Sequence, residues 1–451
     1  LCSVALVRTH LELGELEHAN RLCLALQPSL PACSAWAQVQ ANIFLGRVFL
    51  RREAFLLARD GLDRAFEVMK WGGIAISRVP IWFVERVQCH IALREFDQAV
   101  ALSEQYSSIF SGDEALYGKA LAEMGRAFQY ESQADPRVYS ALERGFGYSQ
   151  RLGFKVFFRS LPKHASMLCG MALERKVAVP FVRDVVRMRN LPAPENASEQ
   201  WPWKVWIQML GGFQIYLDGS PLQLSGKVAA KPLELIKLLA STRKMSLPQD
   251  AICAALWADT CLNDLSAARK NLESTVSRAR KLIGEDIIKV AEGRVFLDHE
   301  VTGSDVQSLA YVCSRLTALP RTVTPNLDLS FHVNRLQEAH KGEFLPGEDA
   351  SPWIEAARQQ VRTAFVQAVS SLSAVLSLGQ RNAEAINLLE QAVGREPLAE
   401  ELYGQLMKAY MAEGRRAEAL HAYRRCKQFL SIILGVDPSK KTEQVKADLL
   451  L

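Results

Sequence analysis

Long hydrophobic runs are absent from this chain: apolar stretches such as Phe429 to Leu434 fall far short of the roughly 18 to 20 residues that cross a bilayer, so no membrane span is expected. The nine cysteines are scattered, without a Cys-x-x-Cys pair. Cys23, Cys89, Cys169 and Cys313 stand among apolar neighbours at helical spacing, which predicts reduced core thiols rather than a disulfide framework. Cys89-His90 is the one adjacent Cys/His pair, and no second pair follows at zinc-finger spacing. It is therefore read as core, and no metal site is expected.

Catalytic signatures are missing as well. Gly226-Lys227 suggests a phosphate loop, but six residues separate Gly219 from Gly226, position 228 is Val rather than Ser or Thr, and the segment lies where a sheet is expected. No His-Glu-x-x-His, Gly-x-Ser-x-Gly or paired-carboxylate pattern rises above composition, and isolated histidines such as His164 and His421 read as helix-surface or core residues. The sequence predicts no enzyme and no cofactor within these residues. Trp36, Trp71, Trp82 and the Trp201 to Trp206 group are read as core or linker packing rather than as a ligand platform.

What is present describes a soluble globular chain. Of 451 residues 49% are hydrophobic and 23% charged, an ordinary balance, and the length asks for two to four domains. Fifty-four basic residues against 49 acidic leave a net charge of +5, so the distribution of charge says more than its sum. Leu1 opens within a helical pattern and without an initiator Met, which reads as a start inside a longer protein.

Residues 1–190 carry Ala and Leu at spacings of three and four after short polar turns. Leu13-Gly-Glu-Leu-Glu-His-Ala19 matches Leu93-Arg-Glu-Phe-Asp-Gln-Ala99 at an offset of 80, with a weaker copy near Arg52 to Ala58; the offset suits two helical-hairpin repeats of about 40 residues. A Pro-rich linker covers 191–203. The period then changes to two: Phe213, Ile215 and Leu217 alternate with polar neighbours, and Asp218-Gly219 supplies a hairpin turn toward Leu222-Gln-Leu224.

Three helices are expected next, led by Pro232, by Pro248, and by Asp264 or Ser266, the last running to Ile283 before Gly284. Ile287 to Val290 and Arg294 to Leu297 flank Ala291-Glu-Gly293 as a short hairpin. Sheet, three helices and terminal hairpin spell a winged helix-turn-helix over 204–310. A connector spans 311–330. From 331 to 451 the pattern is helical again, and Gly379-Gln-Arg-Asn-Ala-Glu-Ala385 returns as Gly414-Arg-Arg-Ala-Glu-Ala419 with the final alanines 34 apart, the tetratricopeptide period. The expected fold class is mainly α: tetratricopeptide-like repeats at both ends of an α+β winged helix.

The third helix of the winged domain bears the candidate chemistry. Ala268, Leu272, Val276, Ala279 and Ile283 form one apolar stripe, while Lys270, Ser274, Ser277, Arg278 and Lys281 gather opposite. Five cations against Glu273 give a net of +4 across residues 269–281. Short Asn271, Ser274 and Ser277 side chains permit close approach, and Arg or Lys reach guanine edges and phosphates. A basic run alone reads as a solvated face; its place before a hairpin with Arg294 near the tip turns the reading toward a major groove. Lys270, Ser274 and Arg278 follow one line toward the groove, whereas Arg269 and Arg280 sit aside, toward phosphate or the domain itself.

Residues 205–310 resemble the OmpR-type winged helix of SARP-type regulators in Leu210-Gly-Gly-Phe213, Leu256-Trp257, Ala268-Arg-Lys-Asn-Leu272 and Val276-Ser-Arg-Ala-Arg-Lys-Leu282. The segment from 331 is similar to the bacterial transcriptional activator domain that follows in that family, in Gly342-Glu-Phe-Leu-Pro-Gly347, Trp353, Glu396-Pro-Leu398, Tyr410, Gly414 to Leu420, Tyr423 and Leu434-Gly-Val-Asp-Pro438. The N-terminal repeats resemble the helical sensor region of large ATP-dependent regulators of the MalT kind, which implies ATP in a module preceding Leu1.

These resemblances imply a cytoplasmic bacterial regulator that activates from repeated sites. Its expected DNA contacts are Lys270, Asn271, Ser274, Ser277, Arg278, Arg280, Lys281 and Arg294; its expected partners are double-stranded promoter DNA, RNA polymerase, and a small-molecule or peptide effector on the N-terminal repeats. The rival reading is a protein-interaction scaffold, or the regulatory part of a larger signal-transduction NTPase, whose winged helix binds protein.

Overall fold

A computed structural model describes residues 2–153, 160–195, 197–223, 230–319, 328–349 and 351–450. The chain divides into two compact units, Leu1–Pro194 and Glu195–Leu451. Leu224 and the Gly226-Lys227 pair lie outside the described residues.

The first unit is a run of helical hairpins: α1 (Cys2–Glu12) with α2 (Leu16–Leu26), α3 (Ala35–Arg51) with α4 (Phe55–Trp71), α5 (Pro80–Ala92) with α6 (Phe96–Ile109), α7 (Gly112–Ser132) with α8 (Val138–Arg151), and α9 (Pro162–Glu174) with α10 (Val179–Arg189). Each hairpin turn has a residue in the left-handed region at the same place, Gly14, Glu53, Arg94, Ala134 and Lys176, spaced 39, 41, 40 and 42 residues apart. The residue after each returns its N–H to the same relative carbonyl, as in Glu15 to His10 at 2.9 Å and Glu95 to His90 at 2.8 Å, the bond that closes a helix C-terminus at such a turn. Ala19, Ala58, Ala99 and Ala141 recur at the inner face of the second helix and are fully buried, because only a small side chain lets paired helices approach there. The degenerate sequence repeat is thus a regular backbone repeat.

Cys23, Cys89 and Cys169 are buried free thiols, and burial pushes the Cys89 thiol up to about 11. His90 bonds Glu95 at 2.7 Å. Of the tryptophans, Trp82 is buried and its Nε1 donates to the Leu62 carbonyl. Trp36 and Trp71 are exposed, contrary to the packing expected of them: Trp36 lies in the first turn of α3 and Trp71 is the last residue of α4.

The second unit begins with β1 (Val205–Gln208), β2 (Gln214–Leu217) and β3 (Ser220–Pro221), followed by α11 (Ala230–Ser241), β4 (Ser246–Pro248), α12 (Gln249–Leu256), α13 (Ala258–Asn263), α14 (Leu265–Ile283), the hairpin β5 (Ile288–Ala291) and β6 (Arg294–Leu297), and β7 (Thr302–Ser304). One sheet has the order β3-β2-β1-β7 and the other β4-β6-β5. The Asp218-Gly219 and Glu292-Gly293 turns both have positive φ throughout, as two-residue hairpins require. Four helices stand where the sequence predicted three: the six-residue α13 is too short to show a period.

Helices α15 (Asp305–Thr317), α16 (Leu329–Ala339), α17 (Pro352–Leu378), α18 (Asn382–Arg395), α19 (Glu400–Ala412), α20 (Arg416–Phe429) and α21 (Lys440–Leu450) complete the unit. Gln380 and Gly414 repeat the left-handed hairpin turn at a spacing of 34, and Ala385 and Ala419 are fully buried behind them. Contrary to the sequence expectation, α17 is long and apolar enough to cross a membrane by length and composition; its Phe365, Val369, Leu372 and Leu376 are buried, and it packs with α15, α18 and α19, as a core helix does. The observed class is mainly helical repeats with a winged helix.

Two motifs far apart in sequence join inside this unit. Gly211 N donates to Glu343 O and Leu345 N to Met209 O, both at 2.8 Å, so Leu210-Gly-Gly and Gly342-Glu-Phe-Leu pair as a short bridge. Lys237 of α11 meets Glu348 and lies 4.2 Å from the Phe213 ring centre. Asp305, at the start of α15, accepts from Met209 N at 2.9 Å and Leu210 N at 2.8 Å. Burial of its carboxyl outweighs these bonds and raises it from 3.8 to about 6. Because the folded value lies above the unfolded one, this contribution to stability is complete below the unfolded value and is lost as pH rises through about 6. Urea titrations of the wild type should show this downward component between those values, and Asp305→Asn should remove it; identical pH profiles would refute the assignment.

Candidate nucleic-acid interface

Helix α14 is fixed at both ends. Asp264 accepts from Ala267 N at 3.0 Å, satisfying an orphan donor of the first turn, and Gly284 at φ +116 ends the helix. Ala268, Leu272, Val276, Ala279 and Ile283 are buried, together with Thr275, against α11, α12 and α13. The opposite face is therefore held outward by packing rather than by its own polarity.

On that face Lys270, Asn271, Ser274, Ser277, Arg278 and Lys281 are all exposed. Six of the eight residues expected from the sequence thus share one solvent face. Lys270, Arg278 and Lys281 make no ion pair among the described residues, so three positive charges remain for an anionic partner. Arg269 is held back: it forms a salt bridge with Asp250 of α12 at 2.9 Å, an exposed pair of small stabilising value.

The other two expected contacts have partners within the protein. Arg280 is half-buried, and its Nε donates to the Ile288 carbonyl at 2.9 Å, so it anchors the start of the β5–β6 wing. Of the two roles open to it in the sequence, packing against the domain is the one the structure supports. Arg294 remains exposed, but its Nε donates to Ser246 Oγ at 3.0 Å and an Nη to the Ser246 carbonyl at 3.1 Å. It leans along β4, and a phosphate contact would require it to leave Ser246. Neither partner has a local sequence signal, since a backbone carbonyl and a serine 48 residues away leave none.

Arg280→Ala should therefore lower the stability of this unit by about 1 kcal/mol, the typical net worth of one such bond, and leave the salt dependence of any DNA binding unchanged. Denaturant midpoints and binding isotherms measured side by side check this; unchanged stability with a reduced salt slope would return Arg280 to the interface.

Among the described residues no group of His, Cys, Asp and Glu is arranged to hold a metal ion. What this surface presents is a rigid basic helix flanked by a hairpin. Its width and chemistry suit a duplex groove, with short polar side chains between the cations.

Residues 332–450 match the bacterial transcriptional activator domain. The chain is 26% identical over 236 residues to the transcriptional regulatory protein EmbR of Mycobacterium tuberculosis, covering 51% of this chain and 59% of EmbR. It is 25% identical over 258 residues to the regulatory protein DnrI of Streptomyces peucetius, covering 54% of this chain and 91% of DnrI. A solved structure of Mycobacterium tuberculosis EmbR in complex with a low-affinity phosphopeptide aligns over 55% of this chain and 65% of that one, at 23% identity and a TM-score of 0.43.

Proposed function

We propose, from the premise that this chain is a relative of the SARP-type transcriptional regulators, that it binds double-stranded promoter DNA through α14 and activates transcription in the bacterial cytoplasm. The observation that carries the reading is the outward face of α14, where three cations without an ion pair among the described residues are interleaved with Asn271, Ser274 and Ser277.

In this mechanism the protein acts by positioning and not by catalysis. Lys270 and Lys281 meet phosphates on either lip of the groove, which sets register and supplies salt-dependent affinity. Arg278 reaches a base edge in the two-pronged manner that guanine accepts, and the short residues let the helix backbone approach. The wing, anchored by Arg280, lies over the neighbouring backbone. The helical hairpins beyond residue 351 hold protein partners, RNA polymerase among them, and those of the first unit hold a peptide or small effector, since paired-helix arrays expose grooves suited to such ligands.

The pairing of Gly211 with Glu343 bears on how the activator domain can be tested. Truncation from residue 331 would remove Phe344 and Leu345, which bridge to Leu210 and Met209, and Glu348, which pairs with Lys237 of α11, so loss of activity in that deletion would not separate recruitment from folding. Footprinting the full-length protein across its genome is the cleaner experiment. Protected sites upstream of promoters, lost in Lys270→Ala/Arg278→Ala, are expected. Protection that survives the double substitution, or none at all, would favour the scaffold reading.

A further inference from the structure

The core of the first unit is divided at α3. Val7, Leu11 and Cys23 pack with Phe44, Leu45 and Val48 in one cluster, while Val39, Ile43 and Leu50 of the same helix serve a second cluster with α4 and α5. Into the first cluster opens a crevice with about 250 Å³ of space free of protein atoms, part of it open to solvent. Gln27 is the one polar side chain that lines it, and none of the lining residues is charged. Burial pushes the Cys23 thiol up to about 12, so it stays neutral and serves as apolar lining. One wall is the 3-10 helix Gln27–Ala32, which joins α2 to α3. Within it Leu30 alone is not exposed, and Pro28 and Pro31 have no N–H to donate. A short 3-10 segment anchored by one half-buried side chain opens more readily than a packed helix.

We infer that this crevice is a binding site for a small neutral hydrocarbon, about the size of one aromatic ring, held between the first two hairpins beneath Gln27–Ala32. Protein interiors leave few voids larger than a water molecule, and a site lined by aliphatic, aromatic and thiol groups offers water too few partners to keep it there. A charged or strongly hydrogen-bonding ligand would lose its hydration with nothing to replace it. Size narrows the class further. An apolar cavity of about 150 Å³ accepts benzene, whereas drug-sized ligands occupy about 300 to 1,000 Å³, so a partly open 250 Å³ suits a monocyclic arene or an alkane of similar bulk. Because Gln27–Ala32 connects the two hairpins, a ligand beneath it favours one placement of α1 and α2 on α3 over others. The inference names the chemical class of the effector assigned above to the first unit and rests on that reading for its role; the site itself stands on the crevice.

Calorimetric titration of the full chain with toluene tests the site. Saturable binding to one site is expected, with a thermal midpoint that rises with toluene concentration. Benzoate, which has the same ring and a charge, should bind at least about tenfold more weakly, since its carboxylate meets no partner there. Ala41→Leu fills the crevice from α3, and Leu30→Phe fills it from the connector, where the backbone can give. Each should weaken toluene binding by about tenfold or more, because small changes of side-chain bulk decide what an apolar pocket admits. The second variant keeps the test open if the first does not fold. Absence of saturable toluene binding would reduce the crevice to a packing void and overturn the inference. Toluene binding that survives both substitutions, or benzoate binding as tightly as toluene, would overturn it as well. Toluene binding that obeys both variants but leaves affinity for a promoter duplex and transcript output unchanged would instead overturn the effector reading of the first unit and leave the site standing.

Discussion

Alanine at Arg278 is expected to weaken binding to the preferred duplex by about 1 to 3 kcal/mol, roughly five- to 150-fold, and to relax preference at one base position. The expectation follows from its place: Arg278 lies on the outward face of α14, two turns from Lys270, in line with Ser274, and it has no protein partner among the described residues. Lys270→Ala should behave differently. A compact ammonium near the phosphates adds affinity without reading sequence, so its loss should weaken specific and scrambled duplexes alike and reduce the salt slope by about one unit. Binding of both variants to both duplexes separates the roles. Equal losses on the two duplexes for Arg278→Ala, with altered base preference for Lys270→Ala, would mean that the helix enters the groove rotated from the orientation assigned to it.

The other large effect is structural. Gly211→Ala should destabilise the second unit by about 2 to 4 kcal/mol, the sum expected for a strained left-handed residue and an overpacked contact. Gly211 has φ +72, and a Cβ built there would lie 2.5 Å from the Lys341 carbonyl oxygen. The clash is with backbone, and the same residue donates its N–H to Glu343, so relief requires parting the bridge between the winged helix and the activator domain. Gly404→Ala provides the contrast. It lies within α19 with open space at the Cβ position, and alanine there should stabilise by about 0.5 to 1 kcal/mol. Denaturant midpoints with the opposite signs are the expected result; a neutral Gly211→Ala would show that the bridge is not what holds these segments together.

The repeats and the basic helix could be read from sequence because their signals are local. A small residue six positions after each polar hairpin start predicts buried Ala19, Ala58 and Ala99, and the 3.6-residue period of Ala268, Leu272, Val276, Ala279 and Ile283 predicts which face of α14 is left outside. What stayed hidden depends on distant partners or on very short elements. The pairing of β1 with β7 is parallel and joins Val205 to Thr302, and β7 and β4 have three residues each, too few for an alternation to show. Helix geometry set Arg280 aside from Arg278 but left phosphate and the domain both open to it; its bond to the Ile288 carbonyl, like that of Arg294 to the backbone and hydroxyl of Ser246, is legible only in the fold. Likewise Gly211 and Glu343 each sit in a motif whose spacing says nothing of the other.

The most direct test of the central claim is the salt dependence of binding to a promoter duplex, measured by fluorescence anisotropy for the full chain and for Lys270→Ala/Arg278→Ala/Lys281→Ala. A groove-bound basic helix predicts that log affinity falls linearly with log salt, and that the triple variant loses about two units of slope, since Lys270 and Lys281 each give up a phosphate contact contributing about 0.9 and Arg278 reads a base, while its denaturant midpoint stays that of the wild type. Affinity that does not vary with salt, or a triple variant with the wild-type slope, would contradict recognition of DNA through α14.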